Sequence, residues 1–432
     1  MSLRVAVLGA GLAGMTVADD LLQLNLEDRE LTVELYDVAP QPGGRLTSWT
    51  VPGFDCELDN GQHILTGSCS SSLQLFQSLT DDPLRSTGLP ALLTASGQVK
   101  NFFTLPLPRP FHLLPLFFGY GEEFFSTLRA GLQLLKLQSD SVSEQKTLAA
   151  WLQKNQPRVL RDRFWQPFVV SVFNRPPAAV ALDHFQSWVG ETFFAARDSL
   201  EIYSFTEPLS RLADLLAERI IRNGGLFELN SHVTDVDLQT GTITVDRSPP
   251  ASADFFVFAL PPDRVAHLLQ NNGLSGINYL NHFTASPILT VHLLLDRELD
   301  LPRFVSLPGS DFDWYINPLA GPRRLIQFMV SAADEQMDWS ETKLIDESRR
   351  LLKQLSNDNP PRLQRYQVFR NRRATYHLPP AKLTRLANFL RPSENVVLAG
   401  DWTYPQWPAT IEAAVRSGHR AARQVEKIIA ST

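Results

Sequence analysis

The chain has 432 residues, 44% of them hydrophobic and 20% charged, with a net charge of −6 at pH 7. That is ordinary globular composition with enough apolar mass for a large core, and the length suggests two or three domains. No clustering of Lys and Arg points to a nucleic-acid partner. Cys56 and Cys69, the only cysteines, read as reduced core thiols and not as a disulfide framework.

Met1 to Arg4 run straight into an apolar strand, so no secretory signal is expected. Leu3 to Leu8, LRVAVL, reads as a buried parallel strand. Gly9, Gly11 and Gly14 follow it in G-x-G-x-x-G spacing. Gly9 permits the tight turn, Gly11 lets a pyrophosphate approach the backbone, and Gly14 lets the next helix pack on the sheet. That helix is expected from Leu12 to about Leu24, with the amides of its first residues, Leu12 and Ala13, facing the phosphates. Leu31 to Tyr36 reads as the second strand, and Asp37 at its end can accept both hydroxyls of an adenosine ribose. Pro42 to Arg45, PGGR, comes directly after: Gly43 and Gly44 allow a tight turn, and Arg45 can reach the pyrophosphate.

Between Phe102 and Phe118 the sequence is strongly apolar, but Pro106, Pro108, Pro110 and Pro115 prevent a regular helix. Neither this segment nor any other offers the roughly 18 uninterrupted apolar residues of a spanning helix. Two readings stand: a surface docked on a bilayer, or a buried element. Phe227 to Leu238 suggests strands and a turn, and Asp254 to Leu260 a further strand. Asn395 to Ala399, NVVLA, is another short buried strand, leading into Gly400 and Asp401. A helix is expected from Pro408, with Ile411, Ala414, Val415, Gly418, Ala421, Ala422, Val425 and Ile429 at helical spacing. No metal site is expected.

In this order, the glycine motif, the acid and the GGR segment resemble the FAD-dependent amine oxidases and carotenoid-type desaturases. The resemblance implies an α/β fold: a discontinuous Rossmann-like FAD-binding domain with an interleaved α+β substrate domain. The FAD domain would be residues 1–75, 204–268 and 392–432, and the substrate domain 76–203 and 269–391. It also implies that Val233 contacts the adenine through its backbone and that Asp401, after Gly400, contacts the ribityl–phosphate region. The amides of Ala409, Thr410 and Ile411 would lie near the flavin pyrimidine ring, where a helix N-terminus stabilises negative charge. With no cysteine near that motif, FAD is expected to be non-covalent.

Leu58 to Gly67, LDNGQHILTG, resembles the squalene-associated FAD-dependent desaturases, also called hydroxysqualene dehydroxylases. FWQPFVVSVFNRPP (164–177), RATY (373–376) and LAGDWT (398–403) look like the same subfamily. The resemblance makes Asn60, Gly61, Gln62 and His63 flavin neighbours. It implies a bacterial enzyme of squalene or hopanoid biosynthesis, which removes the hydroxyl of hydroxysqualene by hydride transfer from reduced flavin. His63 is the candidate proton donor; its alternative role is to hydrogen-bond the cofactor or backbone. Asn174 either orients a hydroxyl or caps a turn. The expected partners are an apolar triterpene-type substrate, an unidentified electron donor and a peripheral membrane contact, with a cytoplasmic location on the inner face of the membrane. The alternatives are a carotenoid-type desaturase running hydride the other way, a non-covalent amine oxidase, and a prenyl-binding escort of the dissociation-inhibitor type. The last is disfavoured because the flavin-motif residues are all present.

Overall fold

A computed structural model describes residues 2–25, 29–61, 63–94, 98–105, 115, 124–141, 146–196, 198–274 and 276–431. The side chains of residues 124, 384–385 and 387–389 lie outside that description. So do Gln62 and most of the apolar segment 102–118.

The short apolar runs form one parallel sheet of five strands, in the order Leu226–Glu228, Glu30–Tyr36, Ser2–Leu8, Phe255–Phe258, Val396–Leu398. The first strand sits at its centre, pairing Leu8 with both Tyr36 and Phe258. The chain therefore moves outward on one side of that strand and then on the other, which opens a crevice at the carboxyl ends of the strands. The first helix, Leu12–Leu21, and the C-terminal helix, Ile411–Ser431, pack together against this sheet. The first helix ends earlier than Leu24, where Gln23 and Leu24 donate three residues back and tighten the last turn. The C-terminal helix starts later than Pro408, because Pro408 to Thr410 form a turn in which the Thr410 hydroxyl donates to the Pro408 carbonyl.

A second sheet, of seven strands, is built around two long antiparallel strands, Thr284–Leu295 and Leu363–His377. Along Thr284–Leu295 the side chains alternate. Leu289, Val291, Leu293 and Leu295 enter an apolar core shared with the helix Glu341–Leu355. Thr290, His292 and Leu294 take the opposite face, where Leu294 packs with Leu58, just before the loop Asn60 to His63. The strands of the parallel sheet thus come from residues 2–36, 226–258 and 396–398, and those of the seven-stranded sheet from 91–101 and 284–377. Helices between residues 124 and 194 carry an aromatic core around Trp165, Phe185, Trp188 and Phe193. Among the described residues, no helix is long and apolar enough to cross a membrane.

Candidate cofactor and substrate site

The crevice is assembled first by backbone. Gly9 has φ +108°, in the left-handed region, and a Cβ there would stand 2.5 Å from the Ala259 carbonyl oxygen. Its N–H donates to the Tyr36 carbonyl at 2.8 Å. Asp37 then ties the two turns together: one carboxylate oxygen accepts the Ala10 N–H at 2.8 Å, the other the Ala39 N–H at 2.9 Å. The half-exposed carboxylate keeps lone pairs for a ribose. Gly43 donates to the Ala10 carbonyl at 2.8 Å, which brings the PGGR turn alongside the glycine loop.

Gly11 and Gly14 have different surroundings. A Cβ on Gly14 would lie 2.0 Å from the Gly9 carbonyl oxygen, so Gly14 is what lets the helix touch the strand. A Cβ on Gly11 would meet nothing closer than the Gly44 Cα at 4.0 Å. That open space faces the start of the helix, the geometry that receives a pyrophosphate. Leu12 and Ala13, both 7% exposed, begin the helix. Gly44, with φ +60°, closes the opposite wall.

Arg45 and Asp401 join the two ends of the chain. The guanidinium makes a bidentate pair with the carboxylate, at 2.6 and 2.9 Å, and donates to the Ala374 carbonyl at 2.6 Å. Asp401 is nearly sealed at 2% exposure, whereas Arg45 keeps 43% of its side-chain surface open and so presents a charged face to the crevice. Gly400, at φ +124°, precedes it and donates to the Ser417 hydroxyl at 3.0 Å, fixing Asp401 to the C-terminal helix. Ala409 lines a cleft together with Asp401, and Thr410 and Ile411 follow at the entrance to the helix, whose first amides have no intrahelical partner. Val233 opens a small antiparallel strand just after Ser231, whose N–H donates to the Asp37 carbonyl at 2.8 Å. These placements fit FAD: Asp37 and Val233 would hold its adenosine end, Gly11 and Arg45 its phosphates, and the start of the C-terminal helix its ring.

Asn60 and Gly61 follow the strand Glu57–Asp59 and reach the seven-stranded sheet at Thr290. Asn60 donates to the Thr47 carbonyl at 2.9 Å, and Gly61 is buried, its Cβ position 3.6 Å from the Thr290 hydroxyl. Gln62 falls outside the described residues. Burial lowers the His63 pKa to about 4, and the Arg45 charge pushes in the same direction. This favours the neutral imidazole, which still carries one N–H to donate. Asn174 caps its helix in the left-handed conformation at φ 51°. It donates to the Ser286 carbonyl and the Thr375 hydroxyl and accepts from the Ala332 amide, which leaves it as a cap and strand tie.

Other polar groups stand near the loop. Asp59 is raised to about 6 by burial, against the lowering effect of Ser48 and the Leu209 amide. On the sheet face below, Thr290 Oγ1, both His292 ring nitrogens, Gln327 Oε1 and Ser331 Oγ are buried without a hydrogen-bond partner among the described residues. The His292 ring stands beside the Asp59 backbone carbonyl, outside ordinary hydrogen-bond geometry, and burial lowers its pKa to about 3. The alternation in TVHLLL is the signal that would have placed Thr290 and His292 on one face. The contribution of Gln327 needed the strand register, which pairs it with His292.

The model of the family described as flavin containing amine oxidoreductase matches residues 12–426, and the chain belongs to that family. A hydroxysqualene dehydroxylase of Rhodopseudomonas palustris is 27% identical over 98% of both chains. A 15-cis-phytoene desaturase of Synechococcus elongatus is 23% identical, over 98% of this chain and 96% of its own. Among solved structures, cyclohexylamine oxidase from Brevibacterium oxydans superposes with a TM-score of 0.73 at 18% identity, covering 99% of each chain. The cofactor is FAD, and the fold is the FAD-binding α/β architecture of these oxidoreductases.

Proposed function

We propose that this flavoenzyme removes the hydroxyl of hydroxysqualene reductively, giving squalene. The substrate's allylic R–OH takes up a proton and a hydride and leaves as R–H and water. Reduced FAD supplies the hydride. The protein's share is to seat the cofactor through Gly11, Arg45 and Asp401, to cover it with the loop Asn60 to His63, and to exclude water from a cationic carbon.

One observation carries this reading over desaturation: the hydroxysqualene dehydroxylase of Rhodopseudomonas palustris is 27% identical over 98% of both chains, against 23% for the phytoene desaturase of Synechococcus elongatus. The similarity to hydroxysqualene dehydroxylases over nearly the whole chain supports the same reading. The similarity to phytoene desaturases keeps one competitor, which uses the same site with oxidised flavin and hydride running the other way.

The test is an anaerobic single turnover. Chemically reduced enzyme is mixed with hydroxysqualene while flavin absorbance and product are followed. Reoxidation with stoichiometric squalene is the expected result. Flavin that stays reduced over unchanged substrate overturns it, and polyene desaturation by the oxidised enzyme would replace it with the competitor.

A further inference from the structure

We infer that Arg175 is the buried positive charge that balances the reduced flavin, so that it raises the reduction potential of the cofactor. Arg175 follows Asn174, whose left-handed cap ends the helix Gln166–Phe173. It is 4% exposed. It lines the same cleft as Asp401 and Ala409, together with Phe173, His184, His377 and Trp407. Nη1 donates to the Leu378 carbonyl at 3.2 Å, and Nη2 stands 3.4 Å from His184 Nδ1. The buried Nε has no hydrogen-bond partner among the described residues.

Charge sets this residue apart. Among the described residues, the buried Asp, Glu, Lys and Arg side chains are those of Asp19, Asp59, Arg175, Asp401 and Glu412. Asp19, Asp401 and Glu412 are each paired with an arginine. Asp59 accepts from the Ser48 hydroxyl and the Leu209 amide. Arg175 is the one cation in this group, and no described carboxylate faces it. Burial lowers its pKa only to about 10, so it stays charged near neutral pH. A solitary charge is costly to bury unless an opposite charge comes to meet it.

The neighbours in the cleft do not supply that charge. Asp401 is already held by the bidentate Arg45. Burial lowers His184 to about 3 and His377 to about 4, and the Arg175 charge pushes both the same way. Burial raises the Tyr376 phenol, which keeps it neutral. Arg420, on the C-terminal helix, bonds the Leu398 and Thr403 carbonyls and adds positive charge. The reduced flavin is the missing anion: two electrons and one proton leave its ring with one net negative charge. Ala409, on the same cleft, belongs to the turn that would hold that ring. An opposite charge nearby favours the charged form, and a low dielectric strengthens the attraction. The inference rests on FAD alone and not on the proposed reaction or its direction.

The midpoint potential of the FAD-loaded protein is measured against a reference dye, without substrate, across a range of pH. Arg175→Met should lower the reduced-to-oxidised ratio at a given potential at least tenfold, a shift of about 30 mV for a two-electron couple. The substitution leaves no buried acid unpaired, so the fold should survive it. Arg175→Lys should return most of the shift. The pH below which the reduced flavin takes up a second proton should rise in Arg175→Met and return in Arg175→Lys, which a purely structural role would not produce. Where Arg175→Met holds flavin loosely, oxidised and reduced FAD are titrated separately, and the affinity for reduced FAD should fall at least tenfold more. An unchanged potential, an Arg175→Lys potential as low as that of Arg175→Met, or an equal loss of affinity for both forms would overturn the inference.

Discussion

Substituting Gly11 and Gly14 by Ala should separate cofactor binding from folding, although the two glycines lie in one motif. At Gly11 the backbone has φ −75°, open to any residue, and the added methyl comes no closer than 4.0 Å to protein. Placing Ala at a helix N-cap costs about 1 kcal/mol. The lost freedom of the unfolded chain returns about 0.4–1 kcal/mol. The apoprotein should therefore melt near wild type, while the methyl fills the space a pyrophosphate needs. Losing one or two charge-assisted amide bonds, about 1.5–3 kcal/mol each, lowers FAD affinity roughly 100-fold.

At Gly14 the methyl would sit 2.0 Å from a backbone oxygen and 3.1 Å from Val7 Cγ1, so the helix must retreat from the strand. Overpacking of this kind costs about 1–3 kcal/mol, here towards the upper end. It outweighs the roughly 1 kcal/mol that Ala gains over Gly inside a helix. The assay is thermal unfolding of both apoproteins with a parallel FAD titration. Gly11→Ala that keeps a full complement of tightly bound FAD would refute the cradle, and Gly14→Ala that melts with wild type would refute the packing argument.

The remaining predictions concern charge and chemistry. Arg45→Leu should destabilise the apoprotein by about 2–3 kcal/mol, below the usual cost of breaking a fully buried pair because Arg45 is 43% exposed. Adding Asp401→Asn should restore most of that loss in a thermal melt but not FAD binding in a titration. Acid precipitation should leave all flavin in the supernatant, since Cys56 and Cys69 lie far in sequence from the C-terminal motif; flavin in the pellet would contradict this. Burial lowers His63 and His377 to about 4 and His184 and His292 to about 3, so between pH 6.5 and those values the unfolded chain binds protons that the folded chain refuses. Asp59 and Asp313, raised to about 6, act in the opposite direction between pH 6 and 3.8. Burial raises the carboxyls of Asp19 and Asp214 as well, so the sign rests on the four histidines, which begin to act at pH 6.5 and are displaced further than Asp59 and Asp313; apoprotein melting temperature should fall on acidification below pH 6.5, and a constant or rising value would disprove the buried neutral state.

The nucleotide half of the site was legible because each of its requirements is local. Gly9 must turn with positive φ, Gly14 must touch Gly9, and Asp37 must follow a strand, so residue type and spacing carry the information. The C-terminal helix was legible for the same reason, apart from its start, where Pro408 to Thr410 settle into a turn. The role of Asn174 was open in the sequence, and three tertiary partners decided it. His63 was recognisable as a loop neighbour, but its protonation was not, because that depends on burial beside Arg45.

By itself, then, the sequence determined the cofactor fold and the residues whose backbone must bend or approach closely. Only the tertiary structure decided that Arg45 would grip Asp401, 356 positions away, and that Thr290, His292, Gln327 and Ser331 would share one buried face. Local conformational needs are written in contiguous residue types. Contacts across strands depend on register and burial, which no single segment contains.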